Sequence, residues 1–271
     1  MVIFDDKRSD EWRQAESGLY LPSDLEREEA RPLAIDLFSG CGGMSLGLIQ
    51  AGFDIIAALE WDPAAIHTYL SNLGAYPVKM IFSDDEAEAR TTWYFEKYFK
   101  KVFKDEAAHF SDLLSGSNRD KVLPDYSGVR FMFVGDARKF TGRRMLDEMG
   151  LRPGDVALVA GGPPCQGFTT ANAKRNRMDP RNSLVFEFAR LVLEIQPKTM
   201  MMENVPGILN MVTPEGVPVV DALMKIISDG GFGEYDALRK SLLESSGCGA
   251  AIRGRAKAKE VWQLEAQGDL F

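Results

Sequence analysis

The chain has 271 residues, 45% of them hydrophobic and 27% charged, which suits one large α/β domain with a buried core. No run approaches the roughly 18 uncharged apolar residues of a membrane span. The opening MVIFDDKRSDEWRQ lacks the basic-then-apolar order of a secretory signal, so a cytoplasmic protein with no membrane contact is expected. The net charge of −8, taken alone, argues against extensive contact with a nucleic-acid backbone. The charge is uneven, however. Lys174, Arg175, Arg177, Arg181 and Arg190 outnumber Asp179 and Glu187. Arg239, Lys240, Arg253, Arg255, Lys257 and Lys259 face a lone Glu244. Local basic surface on an acidic protein is one reading of these stretches, and solvated loops and helix faces are the other. The cysteines are Cys41, Cys165 and Cys248. They form no disulfide framework, and no CxxC pair points to zinc, so no metal is expected.

In chain order, residues 1–31 are polar and acidic and read as a peripheral arm or capping helix. RPLAIDLFSG is a short buried strand running into a glycine turn. MSLGLIQAG is a helix closed by Gly52. FDIIAALEWD is a second strand ending in acids, and PAAIHTYLSNLG a second helix with Pro63 in its first turn. The span 80–130 reads as a helical insertion that lengthens the path to the third strand. Within it, TTWYFEKYFKKVFKDEAAHFSDLL carries aromatics at helical spacing, which is the pattern of a packing surface. GVRFMFVGDA is a third strand, DVALVAGGPPCQGF a fourth strand with a proline- and glycine-rich loop, SLVFEFARLVLEIQ an amphipathic helix, and PKTMMMENVPGIL a further strand and loop. Apolar strands alternating with helices predict a doubly wound, mostly parallel sheet covered on both faces. Ligands in such sheets sit beyond the carboxyl ends of the strands. The polar clusters all fall there.

The first strand runs into Asp36-Leu-Phe-Ser-Gly40-Cys-Gly42-Gly43. Gly40 and Gly42 let a ligand approach the backbone, and the next helix offers N–H groups at its start. Ser45 stands where a GxGxxG pattern has its third glycine. Glu60, at the end of the second strand, is placed to accept both ribose hydroxyls of a nucleoside cofactor. Trp61 offers a flat face for adenine, and Asp136 an acceptor for its amino group. A nicotinamide dinucleotide and S-adenosylmethionine would both use the ribose contact.

The run Gly161-Gly-Pro-Pro-Cys165-Gln-Gly-Phe puts a cysteine in the loop after a central strand, where a thiolate is an effective nucleophile. Glu203-Asn204-Val205 ends the next strand, and in a parallel sheet it lies beside that loop. Its apolar neighbours favour the neutral, proton-donating carboxyl. A nucleophile beside an acid suits attack on C6 of a pyrimidine with support at N3. That makes C5 nucleophilic enough to take a methyl group from a sulfonium. The target base has to leave the duplex for this geometry. The basic segment 174–181 is placed to touch flanking phosphates.

Taken in order, DLFSGCGG, EWD, GD, GGPPCQGF, RNSLVFEFAR and MENVPGI resemble the motif series of DNA cytosine-5 methyltransferases over about 33–210. The resemblance implies the S-adenosylmethionine-dependent, Rossmann-like methyltransferase fold. It also implies a restriction–modification context in a prokaryote or phage, and double-stranded DNA as substrate. Cys165 would be the nucleophile and Glu203 the acid. Phe38, Glu60, Trp61, Asp136, Pro163 and Leu184 would line the cofactor site with Gly40 and Gly42. A catalytic domain is expected over 32–235, with a basic segment and tail over 236–271. Family members continue into a QxRxR motif and a target-recognition region, neither plainly present here. Arg253 and Arg255 in AIRGR have the QxRxR spacing, with Ala251 in place of glutamine, and would support the active site. A second polypeptide carrying the recognition region, a decayed relative and a non-catalytic cofactor-binding subunit are the explanations this leaves. A tRNA cytosine methyltransferase on the same motifs is a further alternative. The tail Gln267–Phe271 is similar to short peptides that bind bacterial sliding clamps, with Gly268 where leucine is usual.

Overall fold

The computed structural model describes residues 12–14, 20–22, 31–99, 126–164, 184–213, 216–234, 236–237 and 240. Near the amino end, β1 (Trp12–Gln14) and β2 (Tyr20–Pro22) pair antiparallel, Trp12 opposite Pro22, where an arm or capping helix was expected. The body is one sheet of six strands: β3 (Leu33–Leu37), β4 (Asp54–Glu60), β5 (Gly74–Phe82), β6 (Val129–Val134), β7 (Leu158–Gly161) and β8 (Thr199–Met202). All pairings in it are parallel, in the order β5-β6-β4-β3-β7-β8. From β3 the chain builds outward through β4 on one side and later through β7 and β8 on the other. The winding therefore reverses between β3 and β7, which is where such sheets open a crevice.

Among the described residues, the strands are accompanied by the helices α1 (Gly43–Gln50), α2 (Pro63–Leu73), α3 (Asp85–Phe99), α4 (Gly142–Met149), α5 (Leu184–Ile195) and α6 (Val219–Asp229). Their starts follow local chemistry. Asp62 caps α2 by accepting the N–H groups of Ala64 and Ala65, with Pro63 in the first turn. Thr141 caps α4 through the N–H of Arg144, and Gly150 ends it in the left-handed conformation. On one face of the sheet, Ile49, Ile66, Tyr69, Leu70 and Phe95 of α1–α3 pack on Ala34, Ile55 and Met132. On the other, Met145 and Leu146 of α4 and Phe188, Leu191 and Ile195 of α5 pack on Ile35, Leu37 and Phe133. Helices thus cover both faces, as the continuous apolar strands predict. α6 packs on α5, with Leu223, Met224 and Ile227 meeting Val185 and Ala189, and Met200 and Met202 of β8 border the same cluster.

The expected helical insertion begins differently. Residues 74–82 form the edge strand β5, and the helix starts only at Asp85. Pro77 masks this strand in the sequence. A proline is tolerated because β5 is an edge, and the pairing with β6 breaks between Gly74 and Lys79. Residues 100–125 lie outside the described part. α4 and α6 were not anticipated at all.

Candidate functional site

The loops that follow the strands lie in one row across the sheet: Asp136 after β6, Glu60–Trp61 after β4, Phe38–Gly42 after β3, Gly161–Pro164 after β7 and Glu203–Val205 after β8. Phe38 takes a positive φ of 58°, rare for a bulky side chain, and turns the chain sharply off β3. The Ser39 N–H then reaches back to the Leu59 carbonyl at 3.0 Å.

Glu60 organises the first half of the row. Its Oε2 accepts the Gly40 N–H at 2.8 Å, and its Oε1 accepts the N–H groups of Trp61 at 2.8 Å and Asp62 at 2.9 Å. The Gly135 N–H donates to the Glu60 carbonyl at 2.9 Å, which joins the Asp136 loop to the same point. The two glycines of the first turn differ. A Cβ on Gly40 would meet nothing within 4 Å, so this backbone faces open space at φ 53°. A Cβ on Gly42 would sit 2.9 Å from Tyr69 Cδ2 and 2.8 Å from Leu73 Cδ1. Gly42 is thus needed for packing against α2, and the open backbone lies at Gly40. Asp136 is held by Arg138, whose Nε donates to both carboxylate oxygens at 2.9 and 3.0 Å. Burial works to raise the Asp136 pKa, but the Arg138 hydrogen bonds and charge outweigh it and hold the carboxyl below its usual range.

Beneath the turn lies a chain of polar groups not anticipated from sequence. The Ser45 hydroxyl donates to Asp36 Oδ2 at 2.5 Å and shares a 2.7 Å hydrogen bond with the Tyr69 hydroxyl. Asp36 is 1% exposed, and its Oδ1 has no hydrogen-bond partner. Burial pushes its pKa up to about 7, opposed by the Ser45 hydrogen bond and aided by the charge of Glu60. The signal was present: Ser45 is the residue that breaks the GxGxxG pattern, and it faces the acid of the same motif.

The second half of the row is looser. The Glu203 N–H donates to the Gly161 carbonyl at 3.0 Å, and Asn204 Nδ2 donates to the Pro163 carbonyl at 3.0 Å. A Cβ on Gly162 would lie 3.3 Å from Glu203 Oε2, so the carboxylate passes directly over this glycine. Pro163 is buried and Leu184 half-buried at the start of α5. Glu203 itself is exposed, as are Met201 and Val205 at 40% and 41%. Among the described residues the apolar surroundings expected for Glu203 are therefore incomplete, because Met201 and Val205 are exposed while Met202 packs into the core instead. Cys165, Arg253, Arg255, the basic segment 174–181 and the tail Gln267–Phe271 lie outside the described residues.

Arg190, counted above with a basic surface, is half-buried and tied into the fold. It bridges Glu187 and Glu194 and donates to the carbonyls of Ala137 and Phe140 at 3.2 and 2.9 Å, tying α5 to the Asp136 loop. Among the described residues, no helix is long and apolar enough to cross a membrane.

Several known proteins are similar to this chain. A protein of Methanocaldococcus jannaschii named as a type II methyltransferase, M.MjaORF1200P, is 32% identical over 186 residues, 64% of this chain and 48% of its own length. The type II methyltransferase M.AquIA of a Picosynechococcus species is 30% identical over 176 residues, 65% of this chain and 49% of its own. The type II methyltransferase M.HgiGI of Herpetosiphon aurantiacus is 32% identical over 172 residues, 63% of this chain and 88% of its own. The chain thus spans about half the length of the first two relatives. C-5 cytosine-specific DNA methylases match residues 33–97 and 132–241, which include every described loop of the row. With its motifs carried on adjacent strand ends of a doubly wound sheet, the chain belongs to the C-5 cytosine-specific DNA methylase family.

Proposed function

We propose that this chain transfers a methyl group from S-adenosylmethionine to C5 of a cytosine flipped out of double-stranded DNA, with residues 32–235 as the catalytic domain. The observation that carries the reading is the row of loops. A carboxylate beside an open glycine stands on one side of the winding reversal, and a carboxylate over Gly162 stands on the other, in the loop region leading to Cys165.

The residues of the first half fit the methyl donor. Gly40 leaves open space, Glu60 Oε2 accepts a single N–H and retains acceptor capacity for a ribose hydroxyl, and Trp61 is 48% exposed beside it. Phe38, Asp136, Pro163 and Leu184 complete the proposed pocket. When bound, the donor supplies an electrophilic methyl on a sulfonium.

In the second half, the Cys165 thiolate adds to cytosine C6, and the C5–C6 π pair moves toward C5. Glu203 supports N3 by donating its proton, which draws off the negative charge the ring gains. C5 takes the methyl as that carbon's bond to sulfur breaks. Loss of the C5 proton to water then returns its electron pair to the ring and expels the thiolate, as N3 gives its proton back to the Glu203 carboxylate. Arg253 and Arg255 would brace this site. The exposure of Met201 and Val205 beside Glu203, together with the length of the relatives, favours a further polypeptide segment closing over β8 and carrying target recognition.

Incorporation of labelled methyl into duplex DNA, measured for the wild type and Cys165→Ala, tests the reading. A loss of at least about 10³-fold in the variant is expected, with donor affinity unchanged. Transfer that survives the substitution would rule out the covalent route. Donor binding with no transfer, even with candidate partner segments added, would favour a non-catalytic subunit. Transfer to tRNA in place of DNA would redirect the substrate.

A further inference from the structure

The edge unit β5–α3 has no task in the mechanism above, yet it reaches the site at three points. Arg90 of α3 lies over the Trp61 indole, its guanidinium carbon 3.5 Å from the ring centroid, and its Nη2 donates to the Trp61 carbonyl at 3.2 Å. Ser83 packs against Gly135 so closely that any side chain there would collide with it. Asp84 pairs with Lys139 at 3.0 Å in the loop after Asp136. α3 is itself anchored, since Ala87, Thr91 and Phe95 are buried at successive turns of one face.

We propose that Arg90 is a positioning residue of the nucleoside end of the donor site. It backs one face of Trp61 and so presents the other to the adenine. This rests on the cofactor reading above and adds a residue that no motif of the series contains. A guanidinium at stacking distance leaves no room for a base on its side of the ring. Trp61 nevertheless remains 48% exposed, so a free surface is left on the ring's other side and edge. The main chain of Trp61 is held at both ends, the N–H by Glu60 Oε1 and the carbonyl by Arg90, so the ring is fixed relative to the proposed ribose acceptor. Arg90 Nε is buried with no hydrogen-bond partner, which fits a guanidinium aligned by the ring and the carbonyl. A ring ordered before the ligand arrives saves the entropy of ordering it on binding.

Calorimetric titration of the full chain with S-adenosylmethionine is the test. Arg90→Ala should raise Kd roughly 3- to 10-fold, and Arg90→Lys by a smaller factor. In a Trp61→Ala background, the effect of Arg90→Ala should shrink to within about twofold, because the ring it acts through is gone. Arg90→Met keeps the apolar stem and serves if the alanine variant unfolds. An unchanged Kd in Arg90→Ala overturns the proposal, as does the same penalty with and without Trp61. Tighter binding also overturns it, and means that Arg90 occupies the place of the base. A wild type that binds the donor with none of these sensitivities fails only the Arg90 assignment. A wild type that does not bind it at all fails the cofactor reading, and this proposal with it.

Discussion

The two halves of the loop row are built differently. After β3, β4 and β6, the acids are tied into the fold: Glu60 accepts three backbone N–H groups, Asp136 is gripped by Arg138, and Asp36 is buried on Ser45. After β7 and β8, the links between loops run through Gly161 and Pro163, and Glu203 stands in solvent between two exposed apolar residues. The first half holds its shape through its own hydrogen bonds and ion pairs. The second depends on surroundings that the described residues do not supply. Donor binding and methyl transfer should therefore separate on mutation, each half failing without the other.

The sharpest way to break that contrast is Glu203→Gln. The change keeps shape but removes a dissociable proton, and general acid–base groups contribute about 10²–10⁴-fold. Transfer to DNA should fall at least about 10²-fold, while donor affinity by calorimetry stays within about twofold. A parallel loss of donor affinity would mean that the halves are one cooperative unit.

Glu60→Ala tests the opposite side. Its removal strands the N–H groups of Gly40, Trp61 and Asp62 and deletes the proposed ribose acceptor. Donor Kd should rise about 10- to 100-fold, with about 1–2 kcal/mol of stability lost in urea unfolding, less than three buried orphans would cost because water reaches the loop. The reactivity of Cys165 toward a thiol reagent should not change. An unaltered donor Kd would remove Glu60 from the site.

Much of this contrast could be read from sequence, though unevenly. The strands carrying the motifs are continuous apolar runs, and their ends show as abrupt changes to glycine, proline or acid, so the row of loops was legible. β5 was not, because Pro77 and an interrupted pairing disguise an edge strand. α4 was missed because GRRMLDEM buries little beyond Met145 and Leu146. At the site, sequence gave Gly40 and Gly42 the same role, whereas the packing of Tyr69 and Leu73 separates them. The exposure of Glu203 was misjudged for a related reason. Apolar neighbours in sequence alternate faces along a strand, so they need not surround the residue between them. Arg90 reaches Trp61 across 29 positions, and no local pattern signals such a contact.

A further effect, read in stability alone, is also specific to the tied half. Asp36 has a carboxyl raised from 3.8 to about 7, chiefly by burial. Between these values the folded chain keeps a proton that the unfolded chain has released. Stability from this group is thus complete below about pH 4, declines as pH rises, and is gone above about 7, with a slope of at most about 1.4 kcal/mol per pH unit. Asp36→Asn has no such charge to exclude, and it can still receive the Ser45 hydroxyl on its oxygen. Urea unfolding of both proteins at pH 5, 6, 7 and 8 should therefore show the variant gaining on the wild type up to about pH 7 and running parallel beyond it. Parallel curves throughout would mean that water reaches Asp36 Oδ1 and that the carboxyl ionises freely. The turn after β3 would then be no more closed to solvent than the loop that carries Glu203.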